Sequence, residues 1–363
     1  MKGIKILGGG LSGLTAAINL ANEGYNVDVY EKRSDCGKRF KGDIEGLENW
    51  SKRKDVIKEI KSMNIKVNFD LFPFKKLHIT DGKEILRNTL DNPIFYLLKR
   101  GTVENSLDQG LKKQALDLGV NIHFNSKIGI ENMDIVSTGP TNKNYIGLAK
   151  GIKFETDFED TAMLILNSKA SNNGYSYFLV INGYGCICSV NCFSSPETAN
   201  KKFKNALKIC KDLLEFNIKN KKPVGGLGSF LLKPRYKVDN KIYTGEAAGF
   251  QDMLWGFGMR YAILSGYYAS KSIVENKNYK NLIKENLSPY LKTSVVNRFI
   301  TEKGRAYVYK AIFNIAKKQK DNWQEMLFQR YNPSRNSRLL YPFAKYSVNK
   351  RMRQYNDELK HSV

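Results

Sequence analysis

Nowhere in these 363 residues do eighteen apolar residues follow one another, so no segment reads as a membrane-spanning helix. The chain enters its first apolar run at Gly3, which leaves no room for a signal peptide. Five cysteines (Cys36, Cys186, Cys188, Cys192 and Cys210) fall on no disulfide or zinc spacing. Cys186, Cys188 and Cys192 lie at even offsets, so a strand turns all three to one face, where small apolar core residues are expected. Histidine is scarcer: His78, His123 and His361 are scattered and show no partner pattern. No metal site is expected. Internal repeats and low-complexity blocks are absent. So is any recognised RNA-binding motif, and specific nucleic-acid recognition is not expected.

Acidic residues are also in short supply. The chain carries 35 Asp and Glu against 59 Lys and Arg, a formal charge of +24. Much of this is compositional drift towards Lys, Asn and Ile. The excess is nonetheless uneven, with 15 basic and 5 acidic residues from Asn297 to Val363. That stretch also holds Tyr307, Tyr309, Ile312, Phe313, Trp323, Phe328, Leu339, Leu340, Tyr341 and Phe343. Basic residues interleaved with apolar anchors suit either a helical cap over a core or a helix lying on an anionic membrane surface. A cytoplasmic protein fits, with peripheral attachment to a membrane left open.

What the chain does have begins at its first residue. Gly3 to Leu7 is a short apolar run, and Gly8, Gly10 and Gly13 then fall on the G-x-G-x-x-G spacing. Leu14 to Ala21 repeats apolar residues at helical intervals, Gly24 suits the stop, and Tyr25 to Tyr30 reads as a second strand closed by Glu31. Each residue type has a job. Gly8 allows the tight turn, Gly10 lets a pyrophosphate approach the backbone, and Gly13 permits close helix–sheet packing. The helix start offers unpaired N–H groups to phosphate. Glu31 stands 18 residues beyond Gly13, near the spacing of about 20 for an acid that bonds a ribose hydroxyl. This is a dinucleotide-binding opening in the required context, without yet separating NAD from FAD.

Farther along, Asp55 to Met63 reads as a helix, and Asn64 to Lys66 and Leu77 to Thr80 as short strands separated by Pro73. Asn105 to Leu118 is an amphipathic helix capped by Gly119, and Val120 to Phe124 returns to the nucleotide sheet. Ile135 to Pro140 is a strand running into a turn. Thr161–Asn167, Tyr175–Asn182 and Gly185–Phe193 alternate as an antiparallel meander. Ser195 caps a helix reaching about Ile218. Val224–Leu232 and Ile242–Thr244 are further strands, Met259–Val274 is a helix, and the remainder is helical. The expected fold is α/β. A doubly wound, Rossmann-like FAD-binding domain (1–45, 95–145 and 225–275) holds an inserted antiparallel-sheet substrate domain (46–94 and 146–224). A basic helical region (276–363) follows.

A second glycine-rich constellation follows the strand at Ile242. Thr244-Gly245-Glu246-Ala247-Ala248-Gly249 precedes Trp255-Gly256-Phe257-Gly258-Met259. An acid at a strand end can bond a ribityl hydroxyl. Gly256 and Gly258 leave backbone N–H groups free at another helix start. NAD enzymes need no such late second site, whereas FAD is long enough to be held at both ends.

These residues resemble the geranylgeranyl reductase family of FAD-dependent oxidoreductases, within the group sharing the p-hydroxybenzoate hydroxylase fold. The resemblance covers roughly residues 1–275. Gly8-Gly9-Gly10-Leu11-Ser12-Gly13 with Glu31-Lys32 resembles the family's first FAD motif. Arg100 resembles the arginine that approaches the cofactor. Gly245-Glu246 resembles the Gly-Asp motif with Glu in place of Asp, and Gly258-Met259 the pair whose backbone meets the flavin. Arg39-Phe40-Lys41-Gly42-Asp43 resembles the loop over the flavin. The chain departs from the family at three places. Lys41-Gly42-Asp43 lacks the cysteine of the Cys-Gly-Glu-Gly run, and Cys36 is offset from it. Tyr184-Gly-Cys-Ile-Cys-Ser189 replaces an aromatic-rich stretch that lines the lipid pocket. Thr138-Gly139-Pro140 replaces an Asp-Gly motif.

The resemblance implies an FAD enzyme that passes hydride to C=C bonds of an apolar isoprenoid or lipid substrate. NAD(P)H or a reduced ferredoxin would act as donor. Gly225-Gly226-Leu227-Gly228 does not complete a second G-x-G-x-x-G, so the donor is expected to visit transiently. Asp43, Glu45 and Tyr184 are the candidate proton donors. Trp50 and Trp255 are expected to pack rather than to clamp substrate. A flavin monooxygenase or halogenase on the same fold, or a flavin-bearing RNA-binding protein, are the other readings.

Overall fold

The computed structural model describes residues 3–140, 145–318 and 323–360, so His361 lies outside the described residues. The chain opens with β1 (Gly3–Leu7), α1 (Leu11–Asn22) and β2 (Asn26–Tyr30). It continues through β3 (Lys41–Glu48), α2 (Val56–Lys61), β4 (Phe72–Phe74), β5 (Lys76–Thr80), β6 (Ile85–Thr89) and β7 (Phe95–Gly101). Next come α3 (Leu107–Asp117), β8 (Asn121–His123), β9 (Ile135–Val136), β10 (Tyr145–Glu155) and β11 (Thr161–Ile165). β12 (Tyr175–Ile181), β13 (Tyr184–Cys192), α4 (Pro196–Leu213), β14 (Lys219–Ser229), β15 (Lys237–Val238) and β16 (Lys241–Tyr243) follow. A 3-10 turn (Gly245–Ala248) leads into α5 (Met259–Val274), α6 (Tyr279–Asn286), α7 (Ser288–Lys318), α8 (Trp323–Tyr331) and α9 (Arg335–Lys360).

Three sheets result. The first has the order β15-β16-β9-β1-β2-β8 and is parallel except at β15. Its order reverses about β1, and ligands of open α/β sheets bind at such a switch point. The largest core cluster joins these strands to α1, α3 and α5 through Ile6, Leu14, Ile18, Val29, Leu111 and Ile263. The second sheet, β14-β10-β13-β12-β11-β5-β6, is antiparallel except for β11 with β5. Period-two alternation sends Met163, Ile165, Phe178, Val180 and Ile187 into a core with Ala206 and Cys210 of α4. The alternate residues face the other way. The third sheet is β3-β7-β4.

Local chemistry accounts for most element ends. Asp55, Ser106 and Ser195 cap α2, α3 and α4 with side-chain oxygens, and Pro196 takes the first turn of α4. Several expectations need correction. Asn64–Lys66 is not a strand; Asn64 sits at φ +59 and ends the turn after α2. Pro73 lies inside β4 rather than between strands. Lys41–Asp43 is not a loop but the start of β3, irregular in register beside Gly42 at φ +78. α4 stops at Leu213, five residues short of Ile218, because Leu214 is extended. β14 starts at Lys219 and runs through Pro223, which is tolerated because β14 is an edge strand. Residues 225–229 therefore pair in the second sheet. β6, β7 and the 11-residue β10 were not anticipated.

One buried ion network ties these layers together. Arg260 of α5 is 2 % exposed. It donates to Glu59 (2.7 Å), Glu48 and Ser51 (3.3 Å each) and the Lys54 carbonyl (3.3 Å). Such a network keeps its charges satisfied only while every member is present. No helix among the described residues is long and apolar enough to cross a membrane.

Candidate functional site

One cavity of about 1470 Å³ runs from the C-terminal end of β1 to the C-terminal helices. That exceeds the roughly 300–1,000 Å³ that holds one drug-sized ligand, so there is room for two. Its polar end is the glycine turn. Gly8 sits at φ +106 against the Ser137 carbonyl, where a side chain would collide. A Cβ on Gly13 would strike the Gly8 carbonyl, so Gly13 keeps α1 close to the turn. Gly10 differs from both: a Cβ there would meet no protein atom within 4 Å, and Gly10 lines the cavity. It is also the N-cap of the 12-residue α1, with no side-chain cap and no acid in the first turn. The free N–H groups of that turn suit a pyrophosphate.

Glu31 stands beside the turn, its Oε2 accepting from Gly9 N and its Oε1 from Arg33 N, both at 2.9 Å. Leu11, Ser12 and Lys32 also line this end. Cys36 lies behind the turn, fully buried, and burial and the neighbouring Glu31 push its thiol well above the ordinary range. A thiol held protonated is a poor nucleophile.

The second constellation lies across the same cavity. Glu246, Gly256, Gly258 and Met259 line it. Gly245 does not; its φ is +57, its N–H donates to Ser265 Oγ at 2.8 Å, and it packs on Ser12. The turn from Asp252 to Gly258 is pinned at both ends. Trp255 N donates to Asp252 Oδ2 at 2.6 Å, Gly256 N to the Asp252 carbonyl at 3.0 Å, and Gln251 Nε2 to the Gly256 carbonyl at 2.9 Å. Arg298 of α7, fully buried, donates to the Met253, Leu254 and Asn173 carbonyls. Arg39 NH1 reaches Glu246 Oε2 at 3.1 Å, while Glu246 Oε1 is buried with no hydrogen-bond partner among the described residues. Burial raises the Glu246 carboxyl, opposed by Arg39. An unpartnered buried acceptor beside a glycine turn fits a donor such as a ribityl hydroxyl.

Between the two ends sits an acid–base cluster. Arg100 is held by Asp108 (Nε to Oδ2, 2.8 Å) and by Glu45 (NH1 to Oε2, 3.0 Å), with Phe40 4.2 Å from its guanidinium carbon. Glu45 opens into the cavity with 35 % of its side chain exposed. Burial lifts its carboxyl above the usual range, Arg100 pulling the other way. Asp43 lines the cavity too, 3.7 Å from Lys153. Gly42 and Tyr184 do not line it among the described residues; Tyr184 is half exposed, under Lys99.

The far end is apolar. Leu164, Tyr177, Leu179, Cys186 and Cys188 of the second sheet face Ile312, Met326 and Leu327 of α7 and α8. The three evenly spaced cysteines share a face and are buried as expected, Cys192 within a core cluster with Phe193 and Phe230, and all three also line the cavity wall. Burial raises all three thiols, Cys188 to about 12. Trp50 packs edge-on against Trp255 and Phe257, with centroids at 5.9 and 4.7 Å, and both tryptophans line the cavity. His123 has partners after all: it stacks on Tyr30 and lies 2.7 Å from Asp28. The α7–α8 wall was hidden in the sequence among residues with the composition of a surface helix. No group of three metal-ligating side chains occurs among the described residues.

A switch-point glycine turn, a split second cradle and an antiparallel sheet roofing the cavity define the class: a two-layer dinucleotide-cofactor fold. Residues 6–43 match the NAD(P)-binding Rossmann-like domain. No curated protein sequence matches the chain. A geranylgeranyl bacteriochlorophyll reductase-like protein from Thermoplasma acidophilum superposes over 100% of both chains, with a TM-score of 0.67 and 17% identity. A flavin-dependent brominase covers 97% of this chain and 99% of its own, at 0.59 and 13%. The p-nitrophenol 4-monooxygenase of Pseudomonas putida covers 92% and 100%, at 0.63 and 15%. At these identities the likeness is one of fold.

Proposed function

We propose that this protein is an FAD-dependent oxidoreductase that reduces C=C bonds of an apolar isoprenoid or lipid substrate, with NAD(P)H or reduced ferredoxin as a transient donor. The observation that carries this reading is one continuous cavity, polar at the glycine turn and apolar beneath α7 and α8. The likeness in fold to a reductase-like protein supports it. Bound FAD supplies the hydride chemistry. The chain's own residues do the rest. Gly10 admits the pyrophosphate to the backbone, and Glu31 has acceptor capacity left for ribose hydroxyls. Glu246 and the backbone of Gly258–Met259 hold the other half. The Trp50–Trp255–Phe257 cluster excludes water from the middle. Glu45, which lines the cavity beside Arg100 and whose carboxyl burial raises, is the residue assigned to deliver the proton that completes the reduction of an alkene.

The purified protein is then yellow, and organic extraction with mass analysis recovers a prenyl-type chain. A colourless protein that FAD does not reconstitute defeats the proposal. The fold similarity to a brominase and a monooxygenase favours one other reading, oxygen-dependent hydroxylation or halogenation. Anaerobic alkene reduction by dithionite-reduced protein supports the reductase; turnover only with oxygen supports its rival.

A further inference from the structure

Helix α9 is amphipathic twice over. One stripe, Ala344, Val348, Met352 and Tyr355, is buried in a core with α7 and Phe230. The opposite stripe is apolar as well, yet faces outwards. Leu339, Phe343 and Tyr346 share one face at 3.6 residues per turn and are 65%, 71% and 73% exposed. Exposed basic residues bracket them: Arg335 one turn before Leu339, and Lys350 and Arg353 one and two turns after Tyr346. The apolar residues of the basic C-terminal stretch thus divide. Tyr309, Phe313 and Trp323 are buried, while Leu339, Phe343 and the neighbouring Leu340 (41%) are not. Single exposed apolar residues are ordinary; three large ones in one stripe mark an interaction surface.

We infer that this face of α9 docks the protein on an anionic lipid bilayer. Charge selects the occupant. The stripe is basic at both ends in a chain of net charge +24, so a second copy would bring like charges together. A leucine and a phenylalanine on a convex helix gain nothing from a phosphate backbone alone, which disfavours RNA. Against a bilayer both features are used: the apolar trio enters the headgroup boundary while Arg335, Lys350 and Arg353 stay among anionic headgroups. The docking inference does not rest on the redox chemistry.

Flotation of the full-length protein tests it, using phosphatidylcholine vesicles with and without phosphatidylglycerol, across a salt series. The wild type floats with anionic vesicles at low salt and sinks at high salt. The variant Leu339→Glu/Phe343→Glu/Tyr346→Glu partitions at least tenfold more weakly, with its unfolding temperature, bound flavin and turnover of a detergent-dispersed alkene unchanged. Lys350→Glu/Arg353→Glu loses about fivefold per charge removed at low salt. The inference is overturned if the wild type does not float with anionic vesicles, or if the triple variant floats as well as wild type. It is also overturned if the triple change abolishes RNA binding or self-association while vesicles are never bound. Loss of flavin in the wild type bears on the redox proposal alone.

Discussion

Gly10 and Gly13 belong to one motif but stand in opposite physical situations. A side chain at Gly13 has nowhere to go except the Gly8 carbonyl, so Gly13→Ala strains the packing of α1 on β1 and lowers stability. A Cβ at Gly10 meets no protein atom within 4 Å. Gly10→Val is therefore expected to leave the unfolding temperature of the flavin-free protein within a few degrees of wild type while abolishing bound flavin absorbance. Co-purified flavin and calorimetry check both halves. Glu45 gives a second expectation at this scale. A carboxyl whose folded value is raised keeps its proton below that value and loses it as pH rises through it. Alkene reduction should fall on an alkaline limb displaced above the usual carboxylate range. Glu45→Gln should keep its flavin, lose that limb and lose about 10²–10⁴-fold in rate. Anaerobic single-turnover rates across pH decide it. Of these residues the glycines and Glu31 are legible in the sequence because spacing alone fixes a turn. The Arg100–Glu45–Asp108 cluster was not legible as one unit, because Glu45 reaches Arg100 only when β3 pairs with β7, and Asp108 joins them from the first turn of α3.

At the scale of elements, the segment Asp252–Gly258 shows how an irregular stretch is made rigid. Asp252 is 1% exposed, and its Oδ2 accepts from Trp255 N and, at 3.5 Å, from Tyr331 Oη. Burial pushes its carboxyl from 3.8 up to about 6, against the backbone donors that lower it. The native state then binds the Asp252 proton more tightly than the unfolded chain. That contribution to stability is complete below the unfolded value and fades as pH rises through about 6. The rise from 3.8 to about 6 corresponds to about 3 kcal/mol when fully expressed. Asp252→Asn keeps an acceptor for Trp255 but cannot titrate. Between pH 4 and 7 the wild type should lose about 2.4 kcal/mol relative to Asp252→Asn. Urea unfolding at the two pH values measures it, and parallel slopes for both proteins would remove Asp252 from the account. Regular helices such as α5 were legible to the residue because apolar spacing and a glycine start agree. β3 and β10 were not, since Gly42, Gly46, Gly147 and Gly151 with alternating charges read as loop. Gly151 is required there because a Cβ would fall on the Cys188 backbone and the Ile187 carbonyl of β13.

For the whole molecule, the two cradles are 230 residues apart in sequence yet line one cavity between the parallel sheet and the antiparallel one. A ligand that spans both cradles therefore couples β1–α1 to the Asp252–Gly258 turn, α5 and, through Arg298, α7. Such coupling is measurable, because a ligand that binds only the folded state stabilises it by about 2.7 kcal/mol at a hundredfold excess over its dissociation constant. With roughly 2.1 cal/mol/K of unfolding entropy per residue, a chain of 363 residues rises by about 3.5 °C. FAD should produce that rise in flavin-free protein. FMN, which lacks the adenosine half, makes no use of Gly10 or Glu31 and should give a smaller rise at equal concentration. Gly10→Val should respond to FAD no more than to FMN. Equal responses of the wild type to the two flavins would mean that the glycine turn and Glu31 do not hold the adenine half, and the assignment of the split cradle to FAD would fall with them.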